Sequence, residues 1–177
     1  MKSLKYLLAT TLIVSAAAAS AEEAAPNDAQ IAAIVVAANQ VDIDAGKLAQ
    51  SKARNKDVKA FAQTMVKDHT GVNKSATDLV KKLNVKPEEN PTSKSLKDNG
   101  KKELAHLKGL KGAAFDKAYI DNEVAYHQSV LDAVDKVLIP NAKNQELHDL
   151  LVKVRPAFVA HLEHAKQLQA SLEKGKG

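Results

Sequence analysis

Residues 58–83, VKAFAQTMVKDHTGVNKSATDLVKKL, decide the fold. Val58, Ala62, Met65, His69, Val72, Ala76, Leu79 and Leu83 recur at spacings of four and three, with Lys, Asp, Gln, Ser and Thr between them. That period places one apolar stripe along an amphipathic α-helix and leaves the other face to water. Asn55 stands just before the stripe as its N-cap, because a short side-chain oxygen accepts an orphan N–H of the first turn. Pro87 lies beyond its end. The one polar member of the stripe is His69.

The same period repeats on both sides. From about Ala29 to Arg54 the stripe is Ile34, Ala38, Val41, Ala45 and Leu48, capped by Asn27 or Asp28. From about Ala113 to Leu138 it is Ile120, Val124, His127, Leu131, Val134 and Leu138, with Pro140-Asn141 as the stop. From about Asn144 to Glu173 it is Leu147, Leu151, Val154, Phe158, His161, Ala165, Leu168 and Leu172. Pro156 removes a backbone donor inside this last helix and pushes on the carbonyl of Val152, which predicts a kink or short break. Residues 84–112 carry Pro87, Pro91, Gly100, Gly109 and Gly112 around a short helix near Lys94–Lys108. The expected architecture is all-α, a ferritin-like four-helix bundle over residues 29–173 with a long middle connection carrying a short extra helix. A crossover and a helix inserted between two simple hairpins both fit that connection.

Composition narrows the function. The absence of Cys among 177 residues excludes disulfide scaffolds, thiol catalysis, iron–sulfur clusters and Cys-based zinc fingers. Aromatic residues make up only 3%, too few for modules that stack nucleic-acid bases. Residues 1–21 read as a secretory signal peptide. Lys2 and Lys5 precede an uncharged apolar run from Tyr6 to Ala19, and Ala19-Ser20-Ala21 offers small residues for cleavage. The run is shorter than the ~20 residues of a membrane span. Residues 22–28 then form a linker and 174–177 a flexible tail. The chain has 26 basic and 21 acidic residues; the leader holds two of the bases and no acid, which lowers the net charge from +5 to +3. Lys alternates with Asp and Glu along the helices, so no nucleic-acid partner is expected. The chain reads as exported to the periplasm, with outer-membrane association and homo-oligomerisation left open.

The histidines are the chemically suggestive feature. His69, His127 and His161 occupy stripe positions on three different helices. A single histidine in a seam reads as a core residue bonded to a carbonyl or carboxylate. Three of them raise the question of a metal, since imidazole is the commonest metal ligand. At ~1.5 Å per residue, His69 and His127 both lie ~21 Å from their hairpins. Folding about those hairpins brings His69 near Asp42 and Asp44 and sets His161 opposite Glu123, four residues before His127. The candidate ligands are therefore His69, Glu123, His127 and His161, with Asp42, Asp68 and His164 as secondary ones. Di-iron bundles use Glu-x-x-His on two helices, whereas here its one instance, Glu103/His106, lies in the connecting segment and not on a long helix. A His-rich set with one carboxylate suits Zn, Cu or Ni better than a di-iron centre. The competing reading is a structural network in which Glu123 accepts from His127 and His161, and Asp42 or Asp44 from His69.

Phosphate loops, Gly-x-Ser-x-Gly, His-Glu-x-x-His and cofactor fingerprints are all missing, which leans against an enzyme. The first expectation is a non-catalytic envelope protein, stress-related in context, that binds a partner protein or small ligand. A metal-binding or metal-dependent redox protein is the second.

Val58-Lys59-Ala60-Phe61-Ala62-Gln63-Thr64-Met65-Val66-Lys67-Asp68-His69 followed by Asn73 resembles the hallmark segment of the bacterial domain-of-unknown-function 4142 family. Ala114-Phe115-Asp116-Lys117-Ala118-Tyr119 leading to His127, and Pro156 leading to His161-Leu162, resemble it too. The resemblance spans roughly residues 30–172. It implies an exported, ferritin-like helical protein, often labelled an outer-membrane protein, without an assigned activity. It also implies that His69, His127 and His161 belong to the family pattern.

Overall fold

A computed structural model describes residues 25–174; the expected signal peptide and most of the tail lie outside the described residues. The chain forms helices α1 (Asp28–Lys52), α2 (Lys56–Lys82), α3 (Pro91–Gly109) and α4 (Gly112–Ala133). One π-helical turn (Val134–Leu138) and a last turn α5 (Ile139–Asn141) extend α4, and α6 (Gln145–Lys174) closes the bundle. No strand occurs among the described residues.

Local chemistry starts the helices where the sequence places them. Asn27 and Gln30 form a reciprocal capping box at α1, with N–H···O distances of 2.9 and 3.1 Å. Asn55 accepts from Asp57 and Val58 at the head of α2. Asn90, Pro91 and Ser93 do the same for α3, with proline where its missing N–H costs nothing. Asn84, at φ 51°, takes the left-handed conformation that asparagine tolerates and turns the chain out of α2.

Contacts at the helix ends fix the topology. The Glu88 N–H donates to Ala29 O, so α2 ends where α1 begins. Asn90 Nδ2 donates to Gln30 O, and Lys52 Nζ donates to Lys108 O at the far end, so α3 runs parallel to α1 along its length. The connection is thus a crossover, and the extra helix has 19 residues, longer at both ends than its Gly and Pro punctuation suggests. α4 then starts beside the α1–α2 hairpin. There the buried Asp116 carboxylate accepts the Arg54 and Asn55 backbone N–H groups at 3.0 and 2.9 Å. At the other end Asp28 accepts from the Lys143 and Asn144 N–H groups and ties the α5–α6 turn to α1. The four long helices run up, down, down and up.

Two expectations change. The stripe assigned to α1 is only part of its buried surface: Ile34 and Ala45 are in the core, Val41 packs against Gly100 of α3, and Asn39, Asp42 and Ala49 also turn into the bundle. The crossover helix buries a second face of α1, and a helix apolar on two faces gives no single readable stripe. The helical run ends at Asn141, at the expected Pro140-Asn141 stop, after a single π turn over Val134–Leu138. Pro156 does not break α6, which is continuous from Gln145 to Lys174. Val152, whose carbonyl loses its partner there, is 46% exposed, so water can take the donor's place.

The core has two apolar ends. Phe61, Met65, Leu107, Phe115, Tyr119 and Ile120 pack near the α1–α2 hairpin. Ile31, Ile34, Val134, Leu138, Leu147 and Leu151 pack at the opposite end. Between them lies a polar layer.

Candidate metal centre

The layer holds Asn39 and Asp42 from α1, His69 from α2, Glu123 and His127 from α4, and His161 from α6, none more than 5% exposed. The three imidazoles stand 5.2–5.5 Å apart between ring centroids. One ring nitrogen from each lies within 4.8 Å of the other two. Phe158 stacks flat on His69 at 5.3 Å and closes that side.

Hydrogen bonds decide which nitrogen of each ring points inward. The amide of Asn39 gives its Nδ2 to the Val35 carbonyl at 2.8 Å, so its Oδ1 is an acceptor. His69 Nδ1, at 2.7 Å, must then be the donor, and Nε2 carries the lone pair. His127 Nδ1 faces the Glu123 carbonyl at 3.1 Å and the Glu123 carboxylate at 3.3 Å, both acceptors, so Nδ1 is the donor and in the neutral ring Nε2 carries the lone pair. His161 gives Nε2–H to Asp68 at 3.0 Å, which leaves the lone pair on Nδ1. Each ring is held on one nitrogen by an acceptor, and the other nitrogen makes no hydrogen bond.

The inner nitrogens meet Asp42. Its Oδ2 lies 3.2 Å from His69 Nε2 and 3.6 Å from His127 Nε2. Burial drives the Asp42 carboxyl well above the usual carboxylate range, and Glu123 beside it drives it further. Burial pushes Glu123 up to about 7, with Asp42 and Tyr119 pulling it partly back. His69 is pushed down to about 2 by burial, then by His127 and His161, and burial also lowers His161. The His69 and His161 imidazoles are neutral at ordinary pH, the form that ligates metals.

Six buried acceptor atoms here make no hydrogen bond: both Asp42 oxygens, Glu123 Oε2, His69 Nε2, His127 Nε2 and His161 Nδ1. A proton on each carboxyl and the Tyr119 hydroxyl would supply three hydrogens. Each acceptor left over costs ~1–3 kcal/mol. One cation among the three nitrogens and Asp42 would satisfy most of them together. With bonds of ~2.0–2.1 Å, the required closing of the rings is on the order of 1 Å.

The structure thus brings His69, His127 and His161 together and sets Asp42 against His69 and His127. Glu123 abuts the outer nitrogen of His127, and the expected acceptance of a bond from His161 is not made: His161 turns its Nε2 across to Asp68 on α2. Asp68 therefore stands behind one imidazole rather than beside His69. His164 is exposed, with its ring edge-on to Phe61 at 5.2 Å, away from the layer. Asn39 escaped the sequence reading. Its signal is the i, i+3 spacing to Asp42, which puts both on one helix face.

Fold and layer together define an all-α bundle with one crossover and a buried histidine–carboxylate centre. The chain belongs to the family described as Domain of unknown function (DUF4142), which matches residues 14–168. No protein of curated function matches it. A solved structure described as "CopM in the Cu(II)-bound form" is similar with a TM-score of 0.64 at 18% identity, covering 82% of this chain and 98% of that one. Likeness at that identity is a likeness of fold.

Proposed function

We propose that this chain is an exported metal-binding bundle in which His69, His127, His161 and Asp42 hold one transition-metal ion. The reading rests on three ring nitrogens, each without a hydrogen-bond partner while the other nitrogen of its ring is held by an acceptor. Metal-bound histidines are oriented in that way, by a carboxylate, carbonyl or amide oxygen behind the ring. A role as a partner-binding envelope protein without metal leaves the inward turn of three imidazoles without a purpose, beyond what three hydrogens can satisfy. Three imidazoles and one carboxylate favour Cu, Zn or Ni over a hard oxygen-seeking ion. Copper is the first to test, because the similar bundle is described with Cu(II) bound. Among the described residues no helix is long and apolar enough to cross a membrane. Export rests on residues 1–21, and the periplasm is the compartment that such a leader implies.

The test is elemental analysis of protein purified without a His tag, with thermal melting before and after chelation. About one equivalent of metal is expected. At a free concentration 100 times the dissociation constant, the ion adds about 2.7 kcal/mol. For a domain of this size that is roughly 5–11 °C of melting temperature. No retained metal, with no shift on adding Cu, Zn or Ni and no difference between wild type and His127→Gln, would overturn the reading.

A further inference from the structure

Beside the polar layer the bundle holds a partly open cavity of about 140 Å³. All four long helices and the crossover helix contribute to its wall, among them Val35, Val72, Leu96, Val130 and Leu151. Val134 and Leu138, the first and last residues of the π turn, line it as well. A π turn inserted in a helix is an uncommon irregularity that gathers at functional sites, and here it borders the void.

Most polar groups at the wall are already engaged; the Nε2 of His69 is the exception and makes no hydrogen bond. Asn39 spends its amide on Val35 O and His69. Tyr126 donates its hydroxyl to Ala38 O at 2.9 Å. Thr92 and Ser129 are exposed residues at the rim. A buried water needs two to four polar partners, and the interior of this chamber does not offer them; dry apolar cavities of about 150 Å³ take up benzene or xenon. We infer that the chamber is a binding site for a small uncharged apolar molecule, no larger than benzene, seated against the His69–Asn39 pair. The site shares the His69 ring with the proposed metal position but takes its guest on the apolar side, and metal-free protein is used to test it, so either reading can fail without the other.

The experiment is a methyl NMR titration of the metal-free protein with benzene, and in parallel with xenon. Saturable shifts are expected on the methyls of Val72, Val130 and Leu138, with surface methyls unchanged. Ala38→Phe fills the chamber and should abolish them while circular dichroism stays helical. Should that variant fail to fold, Leu96→Ala enlarges the chamber from the crossover side and should keep benzene binding while admitting p-xylene. Shifts scattered over the surface, or shifts that survive filling, overturn the inference. So does a wild-type protein that responds to neither probe, even if Leu96→Ala then binds one.

Discussion

Replacing Asn39 separates a tuned ligand from a merely packed histidine. In the native protein Asn39 Oδ1 accepts from His69 Nδ1 at 2.7 Å and so keeps the Nε2 lone pair facing inward. Asn39→Leu keeps the branched shape and removes the acceptor. A buried Nδ1–H without a partner costs ~1–3 kcal/mol. The imidazole has an escape, however: it can move its proton to Nε2 and donate to Asp42 Oδ2, 3.2 Å away. That escape limits the stability loss to the low end, about 1 kcal/mol, or roughly 2–4 °C in the melting temperature of the chelated protein. The same escape puts a proton where the metal must bind. Affinity should therefore fall by about 10–100-fold, equivalent to roughly 1.4–2.7 kcal/mol. Asn39→Asp restores an acceptor for Nδ1 and should recover most of the affinity. The assay is competition against a chromophoric chelator for Cu(II) and Zn(II), beside melts of the metal-free proteins. An Asn39→Leu protein that binds metal like wild type would refute the reasoning. So would an Asp variant no better than the Leu variant.

Asp68→Ala removes the acceptor behind His161 and should weaken metal binding by about tenfold or more. Because the Asp68 side chain is 39% exposed, chelated melts should shift by no more than about 0.5 kcal/mol in equivalent stability. Gly100→Ala sets a Cβ 2.7 Å from Val41 Cγ2 and 3.1 Å from its Cγ1. Valine is stiff at χ1, so α3 must move off α1. Urea unfolding should show a loss of about 1–3 kcal/mol. Asp116→Ala strips two backbone N–H groups of their carboxylate at the α1–α2 turn, and a loss of about 1.5–3 kcal/mol in the same assay is expected.

How much of this was legible depends on the range of the interaction involved. The α2 stripe and its Asn55 cap were readable because both are set within a few residues of chain. The α1 face was not, because α3, which buries the Val41 side, arrives about sixty residues later. Hairpin arithmetic brought His69 near Asp42 and set His161 opposite Glu123, about one turn from His127. It could not say that Asp68, one residue from His69, would serve His161 instead, since that depends on how α2 and α6 rotate against each other. Pro156 misled because its cost depends on whether Val152 meets water, an outcome of packing.

By itself the sequence determined four amphipathic helices, their caps, and three histidines at buried heights in three of them. These follow from 3.6-residue periodicity and local hydrogen bonding, which act along the chain. The tertiary structure decided the crossover, the inward face of α1 and the central place of Asp42. It also decided which nitrogen of each imidazole is free. His69 and His161 take their partners from residues 30 and 93 positions away. A tautomer is fixed by the acceptor that another helix brings to the ring, and no local pattern encodes that meeting.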